Sequence, residues 1–113
     1  MAVKRGEVWK ADLSPTRGTE QSGVRPVVIV QTDRANPYSP HTIIVPFTTR
    51  IRQKQLPSHV FVAADEGGLT QDSVALCEQV RVMDHSRLLS RLGDLSTARM
   101  QQVSDALRII LGL

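Results

Sequence analysis

Cysteine is all but missing from this chain. Cys77 is the only one in 113 residues, so no internal disulfide can form and a reducing, cytoplasmic setting is expected. Aromatic residues make up 4% while hydrophobic residues reach 41%, so any core must be aliphatic. The longest apolar stretch falls far short of the roughly 20 residues that span a bilayer. The opening MAVKRGEVW also lacks the apolar run of a secretion signal. A soluble protein with no membrane partner is the expectation. Metal ligation finds no support: His41, His59, His85 and Cys77 lie far apart, with no short ligand spacing among them. The acidic residues form no clustered pair suited to a two-metal nuclease, and no P-loop or dinucleotide fingerprint occurs. No cofactor is expected. Cys77 has no nucleophile signature around it and reads as a buried structural thiol.

What is present starts with size and charge. The length suits one domain, residues 1–113, with a single core. Of the 14 basic residues 11 are Arg, for a net charge of +3. A guanidinium pairs with phosphate through a planar fork, so the bias leans toward an anionic partner. The net charge alone is ordinary for a solvated protein.

The stretch Asp12 to Val30, DLSPTRGTEQSGVRPVVIV, organises the rest. Its first half is turn formers and polar groups; Pro26 to Val30 is an unbroken apolar run that reads as a strand buried on both faces. Proline lacks a ladder donor, which favours the first position of that strand for Pro26. Pro26 also pushes Arg25 toward an extended backbone. A permanent charge is thereby fixed where a glycine-bearing loop meets the rigid core, a place where binding and catalytic groups are carried.

Alternation predicts further strands at Glu7–Leu13, with Val8 and Trp9 on opposite faces, and at Thr42–Thr48. In the latter Ile43, Val45 and Phe47 share one face, and Ile44, Pro46 and Thr48 the other; Pro46 implies an edge strand or a bulge. Val60 and Val62 mark a short strand closed by a turn at Gly67-Gly68. Ser73 to Met83 is too long for one flat strand. Val74, Leu76, Val80 and Val82 would share a face, but Glu78 interrupts it, so a bend is expected near Cys77-Glu78. Leu89–Leu95 follows as a last strand. Ser96 is a suitable helix N-cap, Leu95 and Met100 have staple spacing, and Met100, Val103, Leu107, Ile110 and Leu111 form a helical stripe ending at Gly112. Many short strands followed by one amphipathic helix imply a mainly β fold with a C-terminal α-helix: a small, strongly curved β-barrel.

GTEQSGVRPVVIV resembles the G-x-E-Q-x-G-x-R-P segment of the MazF/PemK toxins, the ribosome-independent mRNA endoribonucleases of type II toxin–antitoxin pairs. RGEVWKADL, the PFTT segment at Pro46 to Thr49, DSVALCEQVRVMD and RLGDLS extend the resemblance over nearly the whole chain. It implies an SH3-like barrel, a homodimer, a cognate antitoxin that is acidic and partly disordered, and single-stranded RNA as substrate. Arg25 and Thr48 match the family's catalytic Arg and Thr. The implied reaction needs no metal: an RNA 2′-hydroxyl attacks its own phosphate, leaving a 2′,3′-cyclic phosphate and a 5′-hydroxyl. An Arg fork and a Thr hydroxyl suit the extra negative charge of the phosphorane. Proton transfer stays open, because a guanidinium is too weak an acid for a general base; Glu20 is the nearest carboxylate in sequence.

For base recognition, Thr19, Glu20, Gln21, Ser73, Glu78 and Gln79 offer donors and acceptors; the alternative is that they merely cap strand ends. Single-stranded RNA exposes the edges they would read. Tyr38, Phe47 and Trp9 are the stacking candidates, with Phe47 better suited to the core. Arg50, Arg52 and Lys54 alternate after Thr48 in a stretch without acids. If extended, they form a cationic row for RNA or an acidic antitoxin tail; otherwise they are a solvated loop. Two rival functions remain at this point: a non-enzymatic toxin of the same fold that binds DNA gyrase, and a plain SH3-like binding module.

Overall fold

The computed structural model describes residues 2–51 and 55–113. Seven strands appear among them: β1 (Glu7–Asp12), β2 (Val24–Ile29), β3 (His41–Thr48), β4 (His59–Val62), β5 (Ser73–Leu76), β6 (Arg81–Asp84) and β7 (Leu88–Asp94). The helix α1 (Thr97–Leu111) closes the chain. Every pairing is antiparallel, in the order β4-β5-β3-β2-β1-β7, with β6 also on β3.

The chain is mainly β with one C-terminal helix, as the pattern implied, but the barrel is a correction. The end strands β4 and β7 do not pair with each other, so among the described residues the sheet stays open. Curvature is still strong. Two register shifts between β1 and β7, at Val8/Trp9 and Lys10/Ala11, add local twist. The turn at Glu66–Gly68 then packs against β7 so closely that a Cβ on Gly68 would lie 2.1 Å from the Leu92 carbonyl oxygen.

Period-two alternation sorts the side chains into two cores. Val8, Val28, Val45, Phe47, Val60, Val62 and Ala75 face the helix, which supplies Val103 and Ala106. Trp9, Ala11, Val27, Ile29 and Ile44 face the other way, covered by Val3, Leu13, Met83 and Leu88. Val27, Val28 and Ile29 are all fully buried, each contributing about 1.5–3 kcal/mol. Glu7, at the edge of the second core, accepts from Lys4 N–H and Trp9 Nε1 and pairs with Arg91 at 3.2 Å.

Two prolines sit where the sequence did not place them, and both for the same reason. Pro26 is the third residue of β2 rather than its first. Ile29 accepts from Gly6 N–H on the β1 side, while Val30 donates to Ile43 on the β3 side. Backbone groups alternate sides along a strand, so Pro26 turns its missing donor toward β3, whose ladder begins only at Val27. Pro46 lies in an interior strand, not an edge. On that side β3 pairs with β6 over His41–Ile44 and with β5 over Phe47–Thr48, and Pro46 falls in the gap between them.

The expected bend at Cys77–Glu78 is a single 3-10 turn, Cys77–Gln79, between β5 and β6. It resets the alternation: Val74 and Leu76 are buried but Val82 is 58% exposed. In α1, Ser96 Oγ caps Arg99 N–H at 3.1 Å, and Gly112 takes the left-handed conformation at the end. The stripe is buried only through its middle; Ile110 and Leu111 remain exposed, as do Ile109 and Leu113.

Candidate active site

The loop between β1 and β2 is built in two parts. Its stem is tied down: Leu13 N–H donates to Gly23, Gly23 N–H to Ser14 Oγ, and Ser14 N–H to Asp12 Oδ1. Arg87 reaches across from the turn before β7 and donates to the carbonyls of Asp12 and Ser14. Its tip is a small turn in which Glu20 N–H donates to Arg17 and Arg17 N–H donates to Glu20 Oε1. Glu20 is exposed, and one of its oxygens is spent on that turn.

Arg25 follows the loop at the second position of β2, half-buried, and donates from Nε to the Ser22 carbonyl at 2.7 Å. No other hydrogen bond or ion pair engages its guanidinium among the described residues, leaving the outer fork available to an anion. Thr48 ends β3, 9% exposed, and its Oγ1 accepts from Arg50 N–H at 3.1 Å. The hydroxyl proton is therefore free to be donated. The β2–β3 register pairs Val27 with Pro46. The ladder stops there, and the same register carried two residues beyond it would bring Arg25 opposite Thr48, on the face that Val27 and Ile44 share.

Beside this pair lies a cleft of about 210 Å³, lined by Leu13, Glu20, Gln21, Pro46, Glu78, Gln79, Val80 and Arg81. Its lining includes Pro46, which is paired with Val27 on one side and falls between β6 and β5 on the other, and Thr48 is two residues further along β3. Gln79 accepts from Gln21 N–H at 2.8 Å and donates to the Thr19 carbonyl at 3.5 Å. Thr19, Glu20, Gln21, Glu78 and Gln79 are thus brought together. Arg81, which donates to the Leu13 carbonyl, puts a second cation on the wall.

Glu78 is held from behind. Oε1 accepts from Ser58 Oγ and Oε2 faces His59 Nε2, both at 2.9 Å. His59 Nδ1 accepts from Leu56 N–H, so the neutral ring with its proton on Nε2 satisfies both neighbours. Burial pushes the Glu78 carboxyl upward, but its own backbone N–H, His59 and Ser58 outweigh this and hold it below the ordinary carboxylate value. Behind it Cys77 is buried, and burial together with the Glu78 charge pushes its thiol up to about 12.

Other sequence candidates are not in this cluster. Ser73 is buried at the start of β5, opposite Val62, and gives its hydroxyl to the Gln71 carbonyl. Arg50 is exposed next to Thr48; Arg52 and Lys54 lie outside the described residues. Tyr38 is 87% exposed, whereas Phe47 and Trp9 are in the core. Among the described residues no group of three or more His, Cys, Asp or Glu side chains is placed to hold a metal ion. Sequence reasoning passed over Arg81 and Ser58, and weighed His59 only as a metal ligand. Arg81 sits two residues beyond Gln79 and was within reach; Ser58 and His59 join the site only through the β4–β5 pairing.

The fold and this loop–strand constellation define a toxin class. The chain belongs to the PemK-like, MazF-like toxin family of type II toxin–antitoxin systems, which it matches over residues 4–111. It is 46% identical over 111 residues to Endoribonuclease MazF of Staphylococcus saprophyticus, covering 98% of this chain and 92% of that one. Among solved structures it resembles an endoribonuclease from a mycobacterial species in complex with its cognate antitoxin. That match has a TM-score of 0.83 at 25% identity, with 99% and 97% of the two chains covered. MazF of Deinococcus radiodurans shares the fold at a TM-score of 0.85 and 24% identity, over 100% of this chain and 99% of that one.

Proposed function

We propose that this chain is the endoribonuclease toxin of a toxin–antitoxin pair, cutting single-stranded RNA at defined sequences without a metal. The observation that supports the reading is a polar cleft lined by Glu20, Gln21, Glu78, Gln79 and Arg81, next to the paired strands that carry Arg25 and Thr48, in a chain of this family. RNA lies with its scissile phosphate between the free fork of Arg25 and the hydroxyl of Thr48. The 2′-oxygen attacks phosphorus, the P–O5′ bond breaks, and the products are a 2′,3′-cyclic phosphate and a 5′-hydroxyl. Both side chains donate to the oxygens that gain charge, a role commonly worth about 3 kcal/mol per donor. Glu20, at the rim of the cleft, orients or deprotonates the 2′-hydroxyl. The polar cleft wall reads base edges.

The same reading makes the protein cytoplasmic and a two-fold homodimer. Ile109, Ile110, Leu111 and Leu113 are exposed on and beyond α1, an apolar end that a second copy would cover; a monomeric mass at micromolar concentration would count against it. An acidic, partly disordered antitoxin is the proposed inhibitor. Nothing in the site favours a non-enzymatic gyrase poison, which has no use for the Arg–Thr pair.

The test is incubation of pure protein with RNA and with DNA of the same sequence in EDTA. RNA should yield cyclic-phosphate ends and DNA should be spared. Arg25→Ala should abolish cleavage and Thr48→Ala should slow it at least ~100-fold, with both variants folded. Undiminished cleavage by Arg25→Ala would refute the assignment.

A further inference from the structure

The tip of the β1–β2 loop is hydrogen-bonded to the rest of the fold at one place among the described residues. Among the described residues, the hydrogen bonds that leave residues 16–21 all go to one side chain, the Gln79 amide. That amide spans the tip, accepting from Gln21 N–H and donating to the Thr19 carbonyl. Within the tip Gly18 has a φ of +59°, with open space where a Cβ would stand, a position where the backbone turns freely.

Gln79 itself stands on a firm base. Its turn begins at the buried Cys77 and is clamped through Glu78 to Ser58 and His59. The closed loop also carries a cost: Gln21 Oε1 is shut away from water and has no partner among the described residues. Leaving a buried acceptor unpaired costs about as much as one or two hydrogen bonds contribute. Two bonds holding and one orphan pushing make a balanced closure.

We propose that Gln79 is a positioning residue, a latch that holds Thr19, Glu20 and Gln21 over the cleft and releases them when a nucleotide enters. On release the Gln21 side-chain amide is free to pair with the base edge. The inference rests on the nuclease reading for its substrate, but the latch itself does not. Gln79 acts through the loop, so it governs how RNA is gripped rather than how the phosphate reacts.

Amide hydrogen exchange on the full chain, with steady-state cleavage of one oligoribonucleotide carrying a mapped site, decides it. In the wild type Gln21 N–H should exchange ahead of Val28 N–H, as a local opening does. Gln79→Ala should speed Gln21 exchange about tenfold, the scale of one lost hydrogen bond, with Val28 unchanged. Because the closed latch competes with RNA for the cleft, the variant's KM should fall, by up to about tenfold. Its kcat should stay within about threefold, since Arg25 and Thr48 are untouched. Gln79→Glu keeps the acceptor for Gln21 N–H and should restore most of its protection. Unaltered Gln21 exchange in Gln79→Ala, equal acceleration of Gln21 and Val28, or a KM that does not fall would each overturn the latch. If the wild type leaves RNA intact, the nuclease reading fails, and the exchange data still judge the latch.

Discussion

Removing the Glu78 carboxylate in two ways separates its charge from its hydrogen bonds. In Glu78→Gln the amide oxygen can accept from His59 Nε2–H, and the NH2 can donate to Ser58 Oγ once that hydroxyl rotates. Only the charge-assisted share of two bonds is lost, about 1–2 kcal/mol. Glu78→Ala removes both contacts. Ser58 is 2% exposed and the His59 side chain 9%, so two nearly buried groups lose their partner, at about 2–4 kcal/mol. Acid tests the charge directly. The native Glu78 carboxyl titrates below its ordinary value of 4.5, so on acidification the unfolded chain takes up the proton first. The contribution of Glu78 is complete above about pH 4.5 and is lost as pH falls through the depressed native value. The gap between wild type and Glu78→Gln should therefore narrow between about pH 7 and about pH 3.5. Urea denaturation at the two pH values measures it. An Ala variant no less stable than the Gln variant, or a gap that widens in acid, would refute the network.

Cys77, with its thiol near 12, should be alkylated roughly 1,000-fold more slowly in the native protein than after unfolding; mass spectrometry after a timed iodoacetamide pulse reads this, and native-state labelling at the unfolded rate would refute it. Gly68→Ala should lose at least about 3 kcal/mol in urea, because its Cβ meets the Leu92 carbonyl at 2.1 Å. Gly18→Ala, also at positive φ but with nothing near it, should lose about 1–2 kcal/mol. Changing Arg50, Arg52 and Lys54 together to Ala should flatten the slope of log RNA affinity against log salt by up to about 2, and an unchanged slope would mean that the segment does not touch the backbone.

Much of this molecule is legible in local patterns. The strands around Val8–Trp9, Val27–Ile29 and Val45–Phe47, the bend at Cys77–Glu78 and the capped helix all follow from alternation, turn residues and spacing. What was not legible depends on who pairs with whom. Pro46 reads as an edge signal until two different strands are known to share that side of β3, one on each side of it. Pro26 reads as a strand start until its bare face is known to lie beyond the reach of β3. The sheet looks like a barrel from its short strands, but closure depends on whether β4 and β7 meet. At the site, Arg25 and Thr48 were identified by motif, and the strands that carry them are brought side by side by the β2–β3 pairing. The Ser58–His59–Glu78 clamp has no local signal, because its partners are about 20 residues apart and meet only through β4 and β5.

Burial of β2 on both faces has a consequence for the chain before it folds. Val27–Val30 is a β-branched, uncharged run that, until β1 and β3 have docked, offers two sticky surfaces to any other copy. Its flanks restrain this: Pro26 and Arg25 stand on one side, Gln31 and Asp33 on the other, as gatekeepers do. Arg25 then serves the nascent chain as well as the phosphate proposed for it. Replacing it with Ala strips the only charge next to the run on its N-terminal side, so insoluble product should accumulate in the Ala variant. Arg25→Lys keeps that charge while losing the planar fork, and it is the substitution that separates lost chemistry from lost yield.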